Sequence, residues 1–161
     1  MIDTYWKKMT QYKFSLFYLQ LYLGESVRIN RILNISTTIT ASAAIAAWAA
    51  WQNLAFIWGL IIVVSQVVCS INQFLPYQKR IADITGLLSQ LNGLYICVEN
   101  DWYKVSNGKL TEDEINDLCY EYVRKWDGID DMFFVGDTLP QKDKLIQIAE
   151  EKKNNYFIKN F

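Results

Sequence analysis

The chain has 161 residues, 52% hydrophobic and 20% charged, with a net charge of −1 and no histidine. Charge is uneven: residues 1–98 hold seven Lys/Arg against three Asp/Glu, and residues 99–161 hold nine against fourteen. The acidic distal part is a poor surface for nucleic-acid phosphates. Cys69, Cys97 and Cys119 are widely spaced and lack a histidine partner, so neither a disulfide framework nor a zinc site is readable and they fit a reducing compartment.

The N-terminal run FSLFYLQLYL is too short to span a bilayer, and no small-x-small cleavage site follows it as a signal peptide would require. Met9, Tyr12, Leu16, Leu19, Leu23 and Val27 recur at three and four residues, predicting an amphipathic helix within residues 1–31. Its aromatic load, from Tyr5 and Trp6 to Tyr22, suits lying in a lipid interface or packing in a cytoplasmic bundle.

Residues 32–78 contain no Asp, Glu, Lys or Arg. Forty-seven uncharged residues suffice for two crossings of about 20 residues each, and the stretch divides into 32–51 and 54–75 within a hairpin domain of residues 32–75. The two-residue hinge Gln52-Asn53 makes the hairpin antiparallel. Arg28 and Arg31 before it, with Lys79 and Arg80 after it, place both ends in the cytoplasm by the retention of basic residues there. Trp48, Trp51 and Trp58 gather at the far end as interfacial aromatics do.

The two spans differ in kind. The first contains STTITASAAIAAWAA, small residues that permit close helix approach. The second places Ile57, Leu60, Ile61, Val63, Val64, Val67, Val68, Ile71, Phe74 and Leu75 on one face, and Gly59, Ser65, Gln66, Cys69, Ser70, Asn72 and Gln73 on the other, with Ile62 the one aliphatic exception among them. Asn34, Thr37 and Thr38 share one face of the first span, while Ser36 and Thr40 share another. Together with Gln66, Ser70 and Gln73 they are candidates to line a water path. Each could equally glue helices together or back-bond to its own helix. Polar surface in excess of one mutual contact predicts a homo-oligomer, closed as a ring and favoured as a tetramer.

After Pro76, residues 76–106 carry an a/d stripe of Ile81, Ile84, Leu88, Leu91, Tyr95, Val98, Trp102 and Val105, which predicts the core of an oligomeric or helical bundle. The uncharged run 84–98 is too short and too polar to be a third span. Residues 107–161 form a C-terminal cytoplasmic helical region. Asn107-Gly108 reads as a turn, and Thr111 with Glu114 as a capping box. The helix so opened shows Ile115, Leu118, Cys119, Tyr122 and Trp126 on its apolar face, with a supporting Glu121–Lys125 pair, and Gly128 is expected to end it. A connector over 129–136 follows, and Thr138 with Pro140 opens a last helix.

Catalytic machinery is sparse. The carboxylates Glu112, Asp113 and Glu114 are explained by a helix N-terminus, and Asp130-Asp131 by a solvated loop. No catalytic residue, metal ligand or cofactor is assigned, and the chain reads as a non-enzyme. Tyr120, Tyr122, Arg124, Lys125 and Trp126 mix rings and cations as single-strand binders do, but Tyr122 and Trp126 fall on the expected buried face.

The expected fold is an all-α membrane protein: an N-terminal amphipathic helix, a two-span hairpin and a cytoplasmic helical bundle. On the uncharged run 32–78, its flanks Arg28, Arg31, Lys79 and Arg80, and the stripe 81–105, this layout resembles the SLATT family of two-transmembrane bacterial effectors. The resemblance covers roughly residues 5–106 and implies an antiphage pore that depolarises the bacterial inner membrane. It further implies control by a partner nucleotidyltransferase or by its nucleotide or oligonucleotide product, as in CBASS-like and Hailong-like systems. The alternative is a non-conducting membrane anchor that recruits a cytoplasmic partner.

Overall fold

A computed structural model describes residues 1–50, Phe56, Ile57, Gly59, Leu60, Val63, Val64, Gln66, Val67, Ser70, and residues 77–133 and 139–161; for residues 36–50, 77 and 78 it describes the backbone alone. The protein is all-α. Its helices are α1 (Ile2–Ala50), α2 (Tyr77–Ser106), α3 (Glu112–Phe133) and α4 (Asp143–Asn160), and the described residues between α1 and α2 are helical as well. The chain divides into two compact units, one of Met1–Leu23 with Ala82–Phe161 and one of Gly24–Ile81.

The first unit is built on one hydrophobic core. From α1 come Tyr5, Met9, Tyr12, Leu16, Leu19 and Tyr22, spaced by three and four so that they share a face. Of the rings in the N-terminal run, Tyr5, Tyr12 and Tyr22 are buried in this core, and Trp6, Phe14, Phe17 and Tyr18 are half-buried at its edge. Tyr22 takes the place the heptad reading gave to Leu23, which is half-buried, and Val27 is exposed. From α2 come Ile84, Leu87, Leu91, Tyr95, Val98 and Val105. Tyr5 Oη donates to the Val98 carbonyl at 2.8 Å, setting the register of α1 on α2.

Helix ends follow their local chemistry. α2 closes in a Schellman arrangement: Gly108 N–H donates to the Val105 carbonyl (3.1 Å), and Lys109 N–H to that of Lys104 (3.0 Å). Gly108 supplies the left-handed φ of +64° that this turn requires. The capping box of α3 forms in full. Glu114 Oε2 accepts from both the backbone N–H and the hydroxyl of Thr111, each at 2.8 Å, and Glu114 N–H donates to Thr111 Oγ1 at 3.4 Å. Lys125 and Glu121 pair at 2.6 Å on its exposed surface.

Two expected boundaries are corrected. Gly128 does not end α3, which continues to Phe133. Trp126, Ile129 and Phe133 keep the apolar face turned to the core beyond the glycine. Their burial outweighs the cost of about 1 kcal/mol for a helical glycine. The last helix opens at Asp143, beyond the Thr138–Pro140 signal; Thr138 itself is outside the described residues. Tyr18 Oη donates to the Pro140 carbonyl at 2.9 Å and accepts from the Lys142 N–H at 3.2 Å. These tertiary bonds hold the chain extended up to Lys142, whose φ and ψ are −122° and 109°.

The second unit contrasts sharply with the first. None of its described side chains is buried. Most of the hairpin expected over 32–51 and 54–75 lies outside the described residues, apart from the backbone of α1 to Ala50 and the isolated helical positions already given. Among the described residues, one helical stretch is long and apolar enough to cross a membrane by length and composition, Lys79–Ser106 of α2, in which an 18-residue window reaches a mean hydropathy of 1.3. Its apolar side supplies the core of the first unit from Ile84 onward.

Candidate functional site

In the second unit most of the described large apolar residues stand in the open, while Leu33 and Ile81 are half-buried. Ile32 and Ile35 on α1 are 54% and 52% exposed. Ile57, Leu60, Val63, Val64 and Val67 are each more than half exposed, and Phe56 is 85% exposed. They spread over one broad side of a helix, whereas Gly59, Gln66 and Ser70, at i, i+7 and i+11, share a narrow line on another. Ser70 Oγ donates to the Gln66 carbonyl at 2.8 Å, a back-bond that satisfies the hydroxyl proton inside its own helix.

The other candidates for a water path are placed as follows. Asn34 is exposed on α1, and Ser36, Thr37, Thr38 and Thr40 lie on its helical backbone. Gln73 falls outside the described residues. Of the collar, Arg28, Arg31 and Lys79 are exposed and Arg80 is half-buried. Trp48 lies on the backbone of α1, while Trp51 and Trp58 are outside the described residues.

The stripe of α2 turns inward within the chain. Ile84, Leu91, Tyr95 and Val98 are buried, whereas Ile81, Leu88 and Trp102 are half-buried. Leu87, which widens the a/d stripe by a third apolar position, is 1% exposed and sits deeper than Leu88. The face is shared by α1, α3 and α4, and three neighbours make it wider than a two-stranded seam.

Around this core runs a network of rings and charges that sequence reasoning missed. Lys13 Nζ lies 3.8 Å from the ring centre of Tyr156, 4.3 Å from Tyr95 and 5.5 Å from Phe17. The Tyr156 hydroxyl donates to the Glu99 carboxylate. Burial lowers the Lys13 pKa, and the Glu99 charge acts the other way. A second cluster joins α2 to α3, where Tyr122 Oη and Lys104 Nζ donate to Asp101 at 2.6 and 2.7 Å. Burial by itself would raise the Asp101 pKa, but these two donors hold it below the usual range. The only local hint of the Lys13 cluster is a lysine among Tyr12, Phe14 and Phe17; its other rings lie far along the chain.

The Tyr120–Trp126 stretch divides as its helical phase requires. Tyr122 is buried, Trp126 stacks on Tyr12 at 4.2 Å between ring centres, and Tyr120 is 69% exposed. The Asp130 carboxyl is pushed up by burial and then by Asp131 and Asp127. Among the described residues, no three acidic, cysteine or histidine side chains are grouped to hold a metal ion. Compared with protein-family models, with curated proteins and with solved structures, the chain matches none.

Proposed function

We propose that this chain is a self-assembling membrane effector whose uncharged residues 32–78 form a two-span hairpin in a bacterial inner membrane, with both flanks cytoplasmic. The observation that carries the reading is the division of burial. Among the described residues, all seventeen buried apolar side chains belong to the first unit, while in the uncharged run Ile32, Ile35, Ile57, Leu60, Val63, Val64 and Val67 are each more than half exposed and Leu33 is half-buried. Soluble monomers rarely leave so many large aliphatics uncovered along one side of a helix, and lipid or further copies of the chain would cover them. The line of Gly59, Gln66 and Ser70 would then face other helices or a water path.

In this function the chain assembles as a homo-oligomer, a tetramer in its simplest form, whose hairpins enclose a gated ion path. Opening depolarises the membrane and halts the cell. The signal comes from a partner nucleotidyltransferase or from its nucleotide or oligonucleotide product, and the role is antiphage defence.

Expression with its activating partner should depolarise the inner membrane, read with a potential-sensitive dye, and purified protein should conduct in a planar bilayer. Thr37→Leu, Thr38→Leu, Gln66→Leu and Gln73→Leu should reduce the current by dewetting a narrow path, whereas Val64→Leu and Val67→Leu should leave it unchanged. A chain that inserts but never conducts under any activating condition is an anchor that recruits a cytoplasmic partner. A chain that stays out of the membrane fraction overturns both.

A further inference from the structure

We infer that α4 is a detachable strap, clasped onto α1 and α2 through Lys13 and Tyr156, and that its release leaves the remaining three-helix core folded. The clasp grips one ring from two sides. Lys13 of α1 meets the face of Tyr156, and Glu99 of α2 accepts the bond from its hydroxyl. Tyr95 closes the cage from α2, with its ring centre 4.3 Å from the same ammonium.

The rest of the docking has the same character. Lys153 of α4 lies 5.9 Å from the Phe14 ring, and Lys142, just ahead of α4, lies 5.3 Å from that of Tyr22. Tyr18 bonds the extended lead-in at Pro140 and Lys142. Trp6 meets Phe157 and Phe161 edge-on at 5.0 and 5.6 Å.

Burial within α4 is slight by comparison. It buries three residues, Leu145, Ala149 and Phe157, where α1 and α2 bury six each; α3 buries two, Ile115 and Tyr122, and Tyr122 also bonds Asp101 of α2. Its first turn has no side-chain cap bond, whereas α3 has a complete capping box. A helix without a cap bond at its first turn, held mainly by rings and charges, opens more readily than the core it covers. α1, which carries Lys13, is the helix that continues into the uncharged stretch as far as Ala50. The regulatory part of the inference rests on the membrane-effector reading: α4 docked is the resting state, and α4 released is the active one.

The test uses the full chain in nanodiscs and follows amide exchange region by region. Lys13→Met and Tyr156→Ala should each speed exchange across α4 by about tenfold while α2 from residue 84 to 105 stays within about twofold of wild type. Tyr156→Phe keeps the ring and loses the bond to Glu99, and should fall between wild type and Tyr156→Ala. Exchange rising equally in α2 and α4, or unchanged in α4, overturns the strap.

In cells, Lys13→Met and Tyr156→Ala should depolarise the membrane without an activating signal. If activated wild type depolarises and these variants need the same signal, the regulatory role is overturned. If wild type never depolarises, the effector reading and the regulatory role fall together, and exchange alone judges whether α4 detaches.

Discussion

Tyr122 shows what one hydroxyl does in this core. Its bond to Asp101, shared with Lys104, holds that carboxyl ionised below its ordinary range. A depressed carboxyl pKa stabilises the fold above the unfolded value of about 3.9, and that contribution is lost as pH falls through the folded pKa. Tyr122→Phe should cost about 1–2 kcal/mol at neutral pH and flatten the loss of stability on the acid side. Urea unfolding at a series of pH values measures both, and an unchanged acid limb would remove Asp101 from the account. On the alkaline side, burial raises the phenols of Tyr5, Tyr12, Tyr95, Tyr122 and Tyr156, that of Tyr12 to about 12. The unfolded chain ionises its tyrosines near pH 10, so the stability they supply is complete below that pH and declines above it. Tyrosinate absorbance from these five should appear together with unfolding.

For the helices, the discriminating positions lie on α2. Leu87 and Leu91 are each 1% exposed, while Leu88 is half-buried. Leu91→Asp should unfold the first unit by placing a charge in a closed core, and Leu88→Asp should be milder because its side chain reaches the surface. Equal melting of the two variants would contradict this register. The glycines of α2 separate in the same way. A Cβ on Gly93 would meet nothing within 4 Å, so Gly93→Ala should stabilise by about 0.5–1 kcal/mol through helix propensity. A Cβ on Gly86 would come within 2.7 Å of the Phe133 ring. Gly86→Ala must displace that ring and should forfeit the gain, which chemical denaturation of the two variants would resolve.

Seen whole, the chain has one unit with a complete core and another in which none of the described apolar side chains is buried. The stripe of α2 is used inside the chain, so the homo-oligomer proposed above would draw on surfaces other than that core. Mass photometry in detergent should give a closed homo-oligomer, and the Leu88→Asp variant should retain its size. A strict monomer at every concentration would remove the ring, and loss of assembly in Leu88→Asp would return the stripe to the subunit interface.

The sequence by itself determined the helical class, because periods of three and four and paired caps are local properties of the chain. It also determined the uncharged run, the turn at Gly108 and the capping box of Thr111 and Glu114, each complete within a few residues. Tertiary structure alone decided where the N-terminal rings go, since an amphipathic helix presents the same periodicity to lipid as to neighbouring helices. It alone carried α3 past Gly128 and delayed α4 to Asp143, because Phe133 packing on Gly86 and Tyr18 bonding Pro140 are distant contacts that outweigh local stop and start signals. The clasp of Lys13 was illegible for the same reason: its rings and its carboxylate come from three helices that only folding brings together.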